Sequence, residues 1–163
     1  MEHSGKNMAS ILKTYNRLNR IPFGRAIFAK SVGYSAPFFR TIKAKFIEFK
    51  PAYCETQIRD RWGVRNHLGT INAGALCSLA EMTGGLALDS VVPNNLRWIP
   101  RGMTVNYLNK ATGVVTAISE FDPSIVVPGD VLIPIVVSNE SGEPVFNAQI
   151  TFYLSEKPSR TKL

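Results

Sequence analysis

Residues 71–90, INAGALCSLAEMTGGLALDS, form an almost wholly apolar segment with Glu81 in its middle. Wound at 3.6 residues per turn, it carries Ala, Leu, Cys and Met on nearly every side. A helix without a polar face has to be enclosed by protein, so the rest of the chain must wrap it. The spacing predicts a helix over about 73–89, with Asn72 as N-cap and Ala73 as the first helical residue.

The flanks have a different period. TIKAKFIEF and AYCETQIRD have strand composition and are separated by Lys50-Pro51, a turn signal. After the helix come MTVNYL, GVVTAISEF, DVLIPIVVS and PVFNAQITFYL, four runs rich in β-branched and aromatic residues. Turn formers lie between them in NKATG, DPSIVVPG and NESGEP. Pro134 inside the third run predicts an edge or a bulge. Two strands, one buried helix and four strands with short turns predict antiparallel neighbours, hence a single α+β domain with the helix on a curved antiparallel sheet. A chain of 163 residues suits one such domain.

Ahead of this core, residues 8–20 place Ile11, Leu12, Tyr15 and Leu18 at helical spacing. Pro22 interrupts them, and a second helix over about 23–32 is expected to stop at Gly33. SAPFF reads as a turn leading into a strand. Residues 1–50 hold ten Lys/Arg against two Glu, a net +8 out of +7 for the whole chain. Such a stretch attracts phosphates of any kind, in a nucleic acid, a lipid headgroup or a nucleotide-tailed cofactor, and it is also compatible with a solvated face. No nucleic-acid motif accompanies it. No uninterrupted apolar run reaches the ~18 residues that a membrane span needs. The N-terminus lacks a secretory pattern, although its shortage of acids also fits a mitochondrial presequence. Cys54 and Cys77 are too few for a disulfide framework or a metal cluster, and a reduced, cytoplasmic protein is expected.

Glu81 focuses the chemistry. An ionised carboxylate buried without partners costs several kcal/mol, so it is either paired or poised. Gly84 and Gly85, three and four residues on, share its face and are expected to leave a hollow beside it. The structural alternative is an ion pair across a subunit contact, with the glycines allowing close helix packing. RNHLGTINAG ends at the helix N-terminus, where unsatisfied N–H groups and the positive end of the helix dipole can hold a negative oxygen. A helix start that polarises a carbonyl and an acid further along are two halves of an acyl-transfer site. Arg61 and Arg65, in the preceding loop, are candidates for a phosphate or for Glu81, with Asp60 able to neutralise them. His67, Cys77 and Lys110 read as structural or solvated.

These residues resemble the hotdog-fold acyl-CoA thioesterases of the phenylacetate and 4-hydroxybenzoyl-CoA type. The motif of that family runs Asn, five residues, His-Gly-Gly, then Asp or Glu nine residues after the His. Asn66 matches the Asn, Gly74 the second Gly and Glu81 the acid. Asn72 stands in place of the His and Ala73 in place of the first Gly. The wider wording, RNHLGTINAGALCSLAEMTGGLAL followed by RWIPRGMTVNYL, is similar to an uncharacterised domain-of-unknown-function branch of that superfamily.

The resemblance implies a hotdog domain over 41–157, with an N-terminal helical extension at 1–40 and a tail at 158–163. It implies hydrolysis of an acyl thioester of coenzyme A or a carrier protein in a homodimer or dimer of dimers. Ala73 N–H would polarise the carbonyl with Asn72 capping, and Glu81 would act as base or nucleophile. Asn66 would orient water or substrate, and the gap at Gly84-Gly85 would admit the acyl chain. No metal or redox cofactor is implied, coenzyme A being part of the substrate. The alternative is a non-catalytic hotdog module that binds acyl-CoA or fatty acyl ligands.

Overall fold

The structure, a computed structural model, describes residues 9–158. Three helices and six strands follow in the order α1 (Ala9–Leu18), α2 (Gly24–Ser35), β1 (Lys45–Lys50), β2 (Tyr53–Arg59), α3 (Ala73–Asp89), β3 (Leu96–Tyr107), β4 (Val114–Glu120), β5 (Gly129–Ser138) and β6 (Pro144–Glu156). All strand pairs are antiparallel, in one sheet ordered β1-β2-β4-β5-β6-β3. The tail expected from residue 158 lies outside the described residues except for Pro158, as do residues 1–8 of the N-terminal extension.

The apolar run forms its helix with the expected ends. Asn72 is extended, at φ −64° and ψ 142°, and its side chain accepts a 2.7 Å hydrogen bond from Gly74 N–H. β2, β4, β5 and β6 all pack on α3, so the sheet curls around it. Inward strand positions supply Ile58, Val115, Ile133, Ile135, Ile150 and Phe152, all buried. One polar link crosses this core. Thr83 Oγ1 donates to Leu79 O, so its single proton is committed and the hydroxyl of Thr56, 2.6 Å away, must donate to Thr83.

The N-terminal helices close the β1 side through an aromatic cluster. Phe28 meets Tyr15 edge-on at 5.2 Å and Phe46 at 4.9 Å, and Tyr15 meets Phe49 at 5.4 Å. Edge-to-face pairs add ~0.5–1.5 kcal/mol each beyond the area they bury. α2 runs through Gly33 to Ser35 instead of stopping there. A Cβ at Gly33 would lie 2.5 Å from Arg40 Cγ, so this glycine serves a close approach and not a helix stop. The SAPFF turn is a short 3-10 helix, Pro37–Arg40.

Two strand expectations change. The 108–113 link does not join neighbours: β3 lies at the sheet edge beside β6, and β4 sits between β2 and β5. Three strand spacings of ~4.8 Å are within reach of six extended residues at ~3.3 Å each. Pro134 is on an interior strand, but the β4–β5 ladder has ended at Ile118–Val136 before reaching it. Its carbonyl faces β4, where Ser119 Oγ donates to it at 3.0 Å. The missing N–H therefore points where no ladder partner stands.

Candidate active site

The sheet leaves one stripe of α3 uncovered. Ala73 and Gly74 are exposed, and Cys77 and Glu81 are half-buried, while the residues from Met82 to Leu88 are all buried. β3 runs antiparallel alongside this stripe. Near its start, Trp98 lies against Gly85 and its indole N–H donates to Asp89. At its end, Tyr107 Oη stands 3.5 Å from Cys77 Sγ, and this contact holds the Tyr107 phenol above its usual pKa. Met103 and Val105, half-buried, fall between on the same alternating face. The result is a trough with the first half of α3 on one side and an apolar strand on the other.

At the head of the trough, Asn72 holds Gly74 N–H, while Ala75 and Leu76 N–H both reach Asn72 O. Among the described residues Ala73 N–H has no acceptor, so it is the donor left open at the positive end of a 17-residue helix. Glu81 lies eight residues further on, ~12 Å along the axis. The two lie on the same uncovered stripe of α3 and are too far apart to act on one carbonyl within a single chain.

Other candidates have structural employment. Asn66 Oδ1 accepts from Leu68 N–H at 2.9 Å and Thr70 N–H at 3.2 Å, and its Nδ2 donates to Thr70 Oγ1 at 2.9 Å. It builds the turn that delivers the chain to α3. Arg65 pairs with Asp60 at 2.6 Å, an ion pair that holds the Asp60 carboxyl below its usual range. Arg61 donates to Thr41 O and ties this loop to the N-terminal region. Neither arginine is hydrogen-bonded to Glu81.

The hollow expected beside Gly84-Gly85 is filled. A Cβ at Gly84 would lie 2.9 Å from Ile135 Cδ1, and one at Gly85 would lie 3.3 Å from Trp98 Cη2. These glycines bring helix and sheet together. The desolvation argument made for Glu81 holds for a different acid. Asp89, half-buried at the end of α3, has its carboxyl pushed by burial up to about 7 despite the Trp98 hydrogen bond and the nearby Lys157. Sequence inspection passed over Asp89 because it sits at a helix end, where acids are ordinarily solvated. Tyr107, Met103 and Val105 were missed because their strand's place beside α3 depends on long-range pairing.

A model of a domain of unknown function, DUF4442, matches residues 24–154. The chain belongs to the DUF4442 family. The crystal structure of a structural-genomics protein is 38% identical to this DUF4442 chain, with a TM-score of 0.80 over 92% of this chain and 99% of the other. A Pseudomonas aeruginosa protein of unknown function, described as a probable thioesterase, is 19% identical with a TM-score of 0.73, over 84% and 97% of the two chains. A thioesterase from Haemophilus influenzae is 15% identical with a TM-score of 0.67, over 77% and 87%. No curated protein matches the sequence. The DUF4442 chain thus has the hotdog fold shared with these thioesterases.

Proposed function

We propose that this DUF4442 protein hydrolyses an acyl thioester, of coenzyme A or a carrier protein, at a site shared between two copies of the chain. The observation that carries the reading is the open Ala73 N–H on the same uncovered stripe of α3 as Glu81 but ~12 Å from it. Two α3 helices side by side and antiparallel bring the N–H of one protomer to the carboxylate of the other, giving two equivalent sites about a two-fold axis. The twelve-residue edge strand β3 borders the trough, is paired on one side only, and supports the same association.

In this arrangement Ala73 N–H polarises the thioester carbonyl and stabilises the oxyanion. Glu81 of the partner subunit either takes a proton from the attacking water and passes it to the leaving thiolate, or attacks the carbonyl carbon itself. Direct attack forms an anhydride and releases the thiolate, which takes its proton from solvent. A water then hydrolyses the anhydride and frees the Glu81 carboxylate. The acyl group lies along Met103, Val105 and Tyr107, not at the filled glycine pair.

Binding without turnover is the second reading. It is favoured by the cap itself, because Asn72 Oδ1 occupies Gly74 N–H and leaves Ala73 as a single donor. The deciding experiment presents a panel of acyl-CoAs to the purified protein and follows free thiol. Thiol release that Glu81→Gln abolishes, with ligand binding retained, is the expected result. Binding without thiol release in the parent protein establishes the second reading instead.

A further inference from the structure

Every charged side chain between residues 9 and 47 is a Lys or Arg, and the next acid after Glu2 is Glu48. The same segment exposes large apolar groups that nothing among the described residues covers. Phe23 is 85% exposed, Tyr34 76% and Ile21 50%. Ile27, Lys30 and Tyr34 are spaced by three and four residues and share one face of α2, away from Phe28 and Val32, which are buried, and Phe23 stands exposed just before the helix starts. α2 therefore carries two apolar faces, one packed in the core and one open.

Phe23 also has φ +59°, the left-handed region that only Gly, Asn and Asp enter at low cost. Local strain and apolar exposure both oppose a phenylalanine there, and nothing among the described residues offsets them. A cavity of about 830 Å³ between α2, the 3-10 turn and β1 shares Phe23, Lys30 and Tyr34 with the open stripe. Its walls include Val32 and Phe46, and its charged lining is wholly cationic.

We propose that the α1–α2 turn and the open stripe of α2 dock on an anionic lipid bilayer. Ile21, Phe23 and Ile27 enter the interface, and Arg17, Arg20 and Lys30 meet lipid phosphates. This is the composition expected of a surface that lies on a membrane without crossing it: a bulky apolar tip, a cationic surround and no acid. No helix among the described residues is long and apolar enough to cross one. The surface mixes aliphatic Ile21 and Ile27 with aromatic Phe23 and Tyr34, and a bilayer takes up both kinds, whereas the bases of a single strand would stack on the aromatics alone.

The test floats the full-length protein with phosphatidylcholine vesicles with and without about a third phosphatidylglycerol. Binding is expected only to the anionic vesicles and should weaken steeply with salt. Phe23→Asn combined with Ile27→Gln should cut the partition coefficient about a hundredfold or more, the loss of two large apolar side chains from the interface. Asn accepts the left-handed backbone, so the double variant should melt no lower than the parent, which separates lost docking from lost folding. Equal binding to neutral and anionic vesicles, unchanged binding by the double variant, or capture of a single-stranded oligonucleotide in place of vesicles overturns the proposal. None of these outcomes depends on thioester hydrolysis.

Discussion

Asp89→Asn tests whether the end of α3 stores a pH-dependent contribution to stability. Burial raises the Asp89 pKa from 3.8 to about 7, with the Trp98 hydrogen bond and Lys157 acting the other way. A raised carboxyl pKa means that the folded chain keeps a proton that the unfolded chain releases between about pH 4 and pH 7. The contribution is therefore complete below about pH 4 and lost as pH rises through 7. Comparing pH 5 with pH 8 spans about two pKa units of this window, or about 3 kcal/mol at ~1.36 kcal/mol per unit. For a chain of this size that is a shift of roughly 5–10 °C in Tm. Asparagine keeps an oxygen for the Trp98 indole N–H and cannot ionise. The assay is the pH 5 to pH 8 change in Tm, measured in parent and Asp89→Asn protein so that all other groups cancel. Trp62→Phe in both leaves Trp98 as the fluorescent reporter at the hydrogen bond, since the chain has two tryptophans. The parent should lose several degrees more than the variant on going to pH 8. Identical changes in the two proteins would refute the reasoning, because Asp89 would then titrate alike folded and unfolded.

Two further outcomes follow from the geometry. Ala73→Pro removes the open donor at a first helical position that accepts proline, after an Asn72 whose extended backbone suits a following proline. Ala73→Pro and Glu81→Ala homodimers should each be nearly inactive. Refolded together in equal amounts, they should recover about a quarter of parental thiol release, since half the dimers are mixed and each mixed dimer has one intact site; heterodimers without activity refute the shared site. Gly84→Ala should lower stability by ~1 kcal/mol, the crowding of the buried Ile135 outweighing the better helix propensity of alanine. An altered acyl-length preference at unchanged Tm would instead restore the glycine pair as a substrate gap.

The helix that organises the domain was legible because its signals are local: an Asn cap, an apolar composition and a length set by its own residues. The strands around it were legible in composition for the same reason. β3 was read only in its second half, MTVNYL, because Pro100 and Gly102 upstream look like loop residues. They are tolerated because β3 is an edge strand whose register shifts at that point. What no local pattern carries is which strands lie side by side, and the trough depends on that. Glu81, Ala73 and Asn72 could be named in advance, whereas the strand facing them could not. The glycine pair shows the limit of reading a missing side chain as empty space. The neighbours that fill it, Ile135 and Trp98, are 51 and 13 residues away in the chain.

The place of β6 between β5 and β3 has a consequence for synthesis. β3 leaves the ribosome well before β6, its one ladder partner among the described residues, because Leu96 pairs with Glu156 and Tyr107 with Phe146. Until residues 144–156 emerge, a twelve-residue apolar strand waits with both edges bare, and β5 waits with one. Pairings of such wide sequence separation form late, and bare edges recruit other chains meanwhile. A nascent chain stalled after Ser138 should thus be an aggregation hazard and a client for a chaperone, and release of the last thirteen-residue strand should act as the zipper that ends that exposure.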